Sequence, residues 1–149
     1  MRCNEFMRKI SRTCGQTGKL AESLAKKIIS TRLRKSCEAC VIALSGDLGA
    51  GKTVFVQGFA KALGIKDKIT SPTFVILKKF KNLVHIDAYR IDNPKEILYL
   101  GWEELVNNPE NIILVEWAEK VKKILPKNTI WIKFEHLDEK RRIIDFVSR

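Results

Sequence analysis

The chain lacks any apolar run long enough to cross a bilayer. Its longest, Ala39–Leu44, is six residues, against the ~20 that a spanning helix needs. The start, MRCNEFMRKI, is basic but has no apolar core of the secretory-leader kind. Both absences point to a protein that stays in the cytoplasm. Cysteine is scarce and poorly spaced. Cys37 and Cys40 in CEAC have zinc-like spacing, but Cys3 and Cys14 stand eleven apart and make a poor second pair. Reduced, partly buried thiols are expected instead. Acidic residues are few, 17 Asp+Glu against 28 Lys+Arg, for a net charge of +11. That excess suits an acidic partner, or else solvated lysines. Most of it lies early: residues 1–40 hold 10 basic and 3 acidic residues. No internal repeat and no low-complexity segment is present. An N-K-x-D guanine signature and a D-x-x-G switch are both missing, which argues against a GTPase and toward ATP.

What is present fits one domain over residues 1–149, with 1–10 as a flexible N-terminal extension. A domain of this size builds a core without disulfides. TCGQTGKLAESLAKKII reads as a first helix, with Thr13 and Gln16 as a capping box and Leu20, Leu24 and Ile28 on one face. CVIALS reads as a strand buried on both faces. KTVFVQGFAKALG reads as a helix closed by Gly64. TFVILKKF and LVHID read as strands about a KN turn. NPKEILYLGWEELVN reads as helix, capped by Asn93, opened by Pro94 and broken at Gly101. NIILVEW is a further strand, AEKVKKIL a short helix stopped by Pro126, and TIWIKFEH with RRIIDFV a terminal hairpin. Strands alternating with helices predict an α/β P-loop NTPase domain, its mainly parallel central sheet flanked by helices.

The stretch SGDLGAGKTVF carries the chemistry. Gly46, Asp47, Leu48, Gly49, Ala50, Gly51, Lys52 and Thr53 fill the pattern G-x-x-x-x-G-K-[ST] completely. Glycines permit backbone angles that other residues resist. Successive N–H groups then close around phosphate oxygens at the positive end of a helix. Lys52 would reach the β- and γ-phosphates and the Thr53 hydroxyl a Mg²⁺ ion. Such a loop needs an acid at the end of a neighbouring strand. Asp87 in VHIDAYR and Glu116 in IILVEW both qualify, and either one alone could instead cap a strand end. Ser71, Pro72, Thr73 and Phe74 lie where small NTPases place a γ-phosphate-sensing segment, although a rigid proline turn explains them equally. His85 shares a strand face with Asp87; a structural histidine is the simpler reading there. Arg90 fits an arginine finger or a surface ion pair.

Together, GDLGAGKTVFVQGFAKALG, SPTF, HIDAYR, EILYLGWEEL and VEW resemble the TsaE (YjeE) family over about Thr13 to Val147. These are small bacterial ATPases required for threonylcarbamoyladenosine formation on tRNA. The resemblance implies ATP with Mg²⁺, slow hydrolysis, and association with the TsaB–TsaD pair that modifies tRNA position 37. It implies contact with tRNA only through that pair, and a monomer when free. By position it makes Lys52 and Thr53 the phosphate and magnesium residues, Glu116 the second magnesium-site residue, and Asp87 the acid that positions or activates water. Ser71 to Phe74 match the switch-like segment, and Tyr89 and Arg90 belong to the partner-contacting set. Thr17 matches a position near the adenine; Val54, in the nucleotide-binding stretch, stands where a second threonine is usual. Trp117 matches the pattern without a role. Ala118 stands where a proline is common, and the basic stretch around 31–36 is an addition. The alternatives are a small-molecule kinase, which the short chain after Glu116 leaves without a lid, and a nucleotide-responsive RNA-binding module.

Overall fold

The computed structural model describes residues 7–32, 37–70 and 75–148. Seven strands form one sheet: β1 (Met7–Ser11), β2 (Cys40–Gly46), β3 (Leu77–Phe80), β4 (Leu83–Asp87), β5 (Ile112–Glu116), β6 (Ile130–His136) and β7 (Arg142–Ser148). Their spatial order is β1-β7-β6-β2-β5-β4-β3. The four central strands β6, β2, β5 and β4 run parallel. The outer pairings, β1 with β7, β7 with β6 and β4 with β3, are antiparallel. The sheet is therefore mixed, with its parallel part in the middle, as expected where helices cover both faces.

Local chemistry sets the element ends. Helix α1 (Cys14–Arg32) starts with the Gln16 N–H donating to Thr13 Oγ1 at 3.1 Å. The Gln16 side chain returns to the Arg12 N–H at 2.7 Å, one residue earlier than a strict capping box. Helix α2 (Lys52–Ala62) closes with Gly64 N–H on the Lys61 carbonyl and Ile65 N–H on that of Ala60, the paired bonds of a Schellman end. Helices α3 (Lys95–Leu98) and α4 (Trp102–Val106) are separated at Gly101, and Asn93 Oδ1 accepts from Lys95 N–H at 3.0 Å. A 3-10 helix, Ala118–Ile124, ends where Leu125 turns extended before Pro126.

Strand β1 corrects the expectation of a flexible extension through residue 10. Met7–Ser11 pairs along β7. Arg8 forks onto Asp145, Nε to Oδ1 at 2.8 Å and Nη2 to Oδ2 at 3.0 Å. Among the described residues the cysteines are free, but Cys14 and Cys37 are exposed where partly buried thiols were expected, and Cys40 is half-buried. Strand β3 is shorter than TFVILKKF; residues 71–74 lie outside the described residues, and Val75 and Ile76 precede the ladder.

Side-chain alternation divides the core. Ile42, Leu44, Leu83, Ile112 and Leu114 face α1 and α2, whose Ala21, Ala25, Phe55 and Phe59 cover them. Val41, Ala43, Val84, Ile86, Ile113 and Val115 pack on the opposite side with Ile97, Trp102 and Val121. Phe55 is fully buried, with its ring edge-on to Phe134 at 5.6 Å between centroids. Burying such a side chain stabilises by about 1.5–3 kcal/mol and pins the start of α2 to β6.

Helices α1 and α2 meet at two glycines. A Cβ on Gly58 would lie 2.4 Å from the Gly18 carbonyl oxygen, whereas a Cβ on Gly18 would meet nothing within 4 Å. The two alanine substitutions should therefore differ in sign. Gly58→Ala should destabilise by about 1–3 kcal/mol as backbone is forced from backbone. Gly18→Ala should be neutral or stabilise by up to about 1 kcal/mol through helix propensity. Urea unfolding of both variants checks this, and equal effects would refute the close crossing.

Candidate functional site

Parallel register brings the charged residues to one edge. Leu44 of β2 and Asp87 of β4 both lie level with Glu116 of β5. Period-two alternation from Leu83 and Leu114 turns His85, Asp87 and Glu116 toward α2. The loop after β2 leaves from this edge. Gly46 has φ +137° and lies so close to β6 that a Cβ would sit 2.3 Å from the Phe134 carbonyl oxygen. Any side chain there would push β2 from β6. Gly51 follows at φ +103° and caps α2.

Lys52 and Thr53 open α2. Lys52 is 5% exposed. Its Nζ donates to the carbonyls of Gly46 and Asp47, the latter at 2.8 Å. The same ammonium lies 4.1 Å from the centre of the Trp117 ring, a cation–π contact. Trp117 holds φ +55°, an uncommon conformation for a bulky residue, and starts the 3-10 helix. Tyr89 packs on it with ring centroids 5.0 Å apart. Burial lowers the Lys52 pKa from 10.5, against raising contributions from Glu116, Glu119, Asp47 and Asp87.

Thr53 Oγ1 donates toward Glu116, 3.0 Å from Oε2 and 3.2 Å from Oε1. Glu116 is 2% exposed and accepts a second hydrogen bond at Oε1, from His85 Nε2 at 2.8 Å. Asp87 Oδ1 accepts from the Tyr89 N–H at 3.0 Å. Of the two strand-end acids, then, Glu116 is the one in contact with Thr53. The loop N–H groups suit phosphate, and a hydroxyl beside a carboxylate is a hard oxygen donor set of the kind Mg²⁺ takes. Among the described residues no group of three or more His, Cys, Asp or Glu is placed to hold a metal by itself.

A cavity of about 470 Å³ lies over the loop, lined by Leu48, Gly49, Gly51, Lys52, Thr53, Val54, Glu116, Trp117 and Thr17. Thr17 is buried and hydrogen-bonds Ser11 Oγ at 2.8 Å. Ser11, Arg12, Thr13, Cys14, Glu139, Lys140 and Arg142 complete the wall, a placement that sequence spacing does not show. They gather by topology: β6 ends beside the loop, β7 starts there, and Ser11 pairs with Arg142. Arg142 Nη2 comes to 3.5 Å from the Gly49 carbonyl. Strand order, which local patterning does not encode, was the missing signal. Tyr89 and Arg90 are exposed just past β4. The switch-like Ser71–Phe74 lies outside the described residues.

A strand, a glycine loop and a helix-start lysine at the carboxyl ends of parallel strands define an α/β protein with its glycine loop at the strand ends, where such folds form their crevice. The protein-family model described as "Threonylcarbamoyl adenosine biosynthesis protein TsaE" matches residues 11–144, and the chain belongs to that family. A TsaE protein of Rickettsia felis is 37% identical over 138 residues, covering 89% of this chain and 75% of the relative. One from Bacillus subtilis is 38% identical over 112 residues, covering 72% and 69%. The crystal structure of Bacillus subtilis YdiB superposes with a TM-score of 0.73 at 29% identity, covering 97% of this chain and 86% of that one.

A lysine whose ammonium is disfavoured by folding destabilises the folded state below its folded pKa. That cost fades as pH rises from there toward 10.5. Lys52→Met removes the titration. The stability of wild type relative to this variant should therefore rise as pH approaches 10.5, as read from urea midpoints. A constant difference would refute the burial cost.

Proposed function

We propose that the protein is a Mg²⁺-dependent ATPase that acts in threonylcarbamoyladenosine formation at tRNA position 37. It does so by supporting turnover of the TsaB–TsaD pair. The observation that carries the reading is the contact of Thr53 with Glu116 at the foot of the glycine loop, 3.0 Å from Oγ1 to Oε2. Family membership supplies the pathway.

In this reading the loop N–H groups from Gly46 to Thr53 bind the phosphates and Lys52 leaves its loop carbonyls to meet them. Bound at Thr53 and Glu116, Mg²⁺ would neutralise phosphate charge. Asp87, one strand over, orients the attacking water. Thr17 and the α1 start border the space for the nucleoside. Tyr89, Arg90 and Ser71–Phe74 belong to the surface offered to the protein partners. Among the described residues no helix is long and apolar enough to cross a membrane, in keeping with work on tRNA in the cytoplasm.

Purified protein should release free phosphate from ATP slowly and only with Mg²⁺, and faster with TsaB–TsaD present. Lys52→Ala should weaken ATP binding by about 10–100-fold, the worth of charged hydrogen bonds. Glu116→Ala should weaken the Mg²⁺ dependence while leaving metal-free ATP affinity near that of wild type. Undiminished hydrolysis in both variants, or a phosphorylated metabolite in place of free phosphate, would overturn the assignment.

A further inference from the structure

His85 has no part in the chemistry described so far, yet it is fully buried at 0% exposure. It sits on β4, diagonal to Glu116 across the β4–β5 pairing, in which His85 is level with Leu114 and Asp87 with Glu116. Its Nε2 is 2.8 Å from Glu116 Oε1. A carboxylate only accepts, so Nε2 carries the proton in this contact. That Nδ1 is buried with no hydrogen-bond partner among the described residues. An apolar residue in this strand, buried at every position from Leu83 to Asp87, would avoid the orphaned nitrogen. The sheet does not need the imidazole either, since β4 is held by its backbone ladders to β3 and β5. Among the described residues, the interaction that distinguishes histidine here is its bond to Glu116.

That bond fixes an otherwise rotatable group. With Oε1 held by His85, the carboxylate is oriented so that it faces Thr53 Oγ1, Oε2 at 3.0 Å and Oε1 at 3.2 Å. We propose that His85 is a positioning residue, whose Nε2–H holds the Glu116 carboxylate so that Oε2 and the Thr53 hydroxyl form a ready pair of oxygen donors for a divalent cation. The inference rests on the Mg²⁺–nucleotide reading above and adds to it the group that orients the acid. Groups that orient a ligand from behind commonly govern metal affinity by about 10–100-fold.

Three substitutions separate positioning from packing. The glutamine amide nitrogen is as many bonds from Cα as His Nε2, and the asparagine amide nitrogen as many as His Nδ1. His85→Gln therefore keeps a donor for Glu116, His85→Asn misplaces it, and His85→Leu removes it. Mn²⁺ uptake in the presence of ATP is read by electron paramagnetic resonance. ATP affinity without metal and the melting temperature are measured on the same proteins. Leu and Asn should weaken Mn²⁺ uptake by about 10–100-fold, while Gln recovers most of it. Metal-free ATP affinity should stay within about twofold throughout, because the loop that binds phosphate is intact. Mn²⁺ affinity that follows melting temperature instead of donor position would overturn the proposal. So would Gln performing no better than Asn, or a series in which no member folds. Wild type that binds Mn²⁺ with ATP, beside variants that bind equally well, overturns this inference alone. Wild type that takes up no Mn²⁺ with ATP overturns the nucleotide reading as well.

Discussion

The arrangement depends on the parallel alignment of β4, β5 and β2, which brings Asp87, Glu116 and Leu44 to the same level of the sheet. Parallel strands are about 4.8 Å apart, so residues at matching positions stand side by side and point the same way. Glu116 thus meets Thr53 at the start of α2, and His85 meets Glu116 from the adjacent strand. A one-residue slip of β5 would turn Glu116 to the opposite face. The register is held by two apolar layers, with Leu83, Ile112 and Leu114 on one side and Val84, Ile113 and Val115 on the other.

Charge is gathered inside the fold at one end of the sheet. Lys52, Asp87 and Glu116 are all buried near the carboxyl ends of the strands. Buried charge is costly unless hydrogen-bonded. Here the cost is met locally: carbonyls and a tryptophan face receive the ammonium, while a hydroxyl and an imidazole receive the carboxylate. Trp117 keeps a left-handed backbone at this point, and strain of that kind tends to gather at functional sites. Lys52 is therefore satisfied by the protein's own groups, the Gly46 and Asp47 carbonyls among them.

Much of this was legible in the sequence because it is local. The glycine–lysine–threonine spacing gives a loop and a helix start without reference to the rest of the chain. Capping at Thr13 and Asn93 and the stop at Gly64 are decided within a few residues. The two strand-end acids are visible for the same reason. What separates them is not: Glu116 contacts Thr53 across 63 positions of sequence, while Asp87 turns back to the Tyr89 amide. The edge strand Met7–Ser11 was missed because what holds it, β7 and Asp145, lies at the other end of the chain.

The sequence by itself determined an α/β chain with a glycine-rich loop between the strand CVIALS and a helix, since alternation, capping and glycine placement act over short distances. Tertiary structure alone decided which acid joins the loop and that a histidine stands behind it. It also decided that the cavity wall comes from the α1 start and the β6–β7 turn. Those outcomes follow from strand order and register, which are fixed by how the two apolar layers close on the sheet and not by any one segment's own preference.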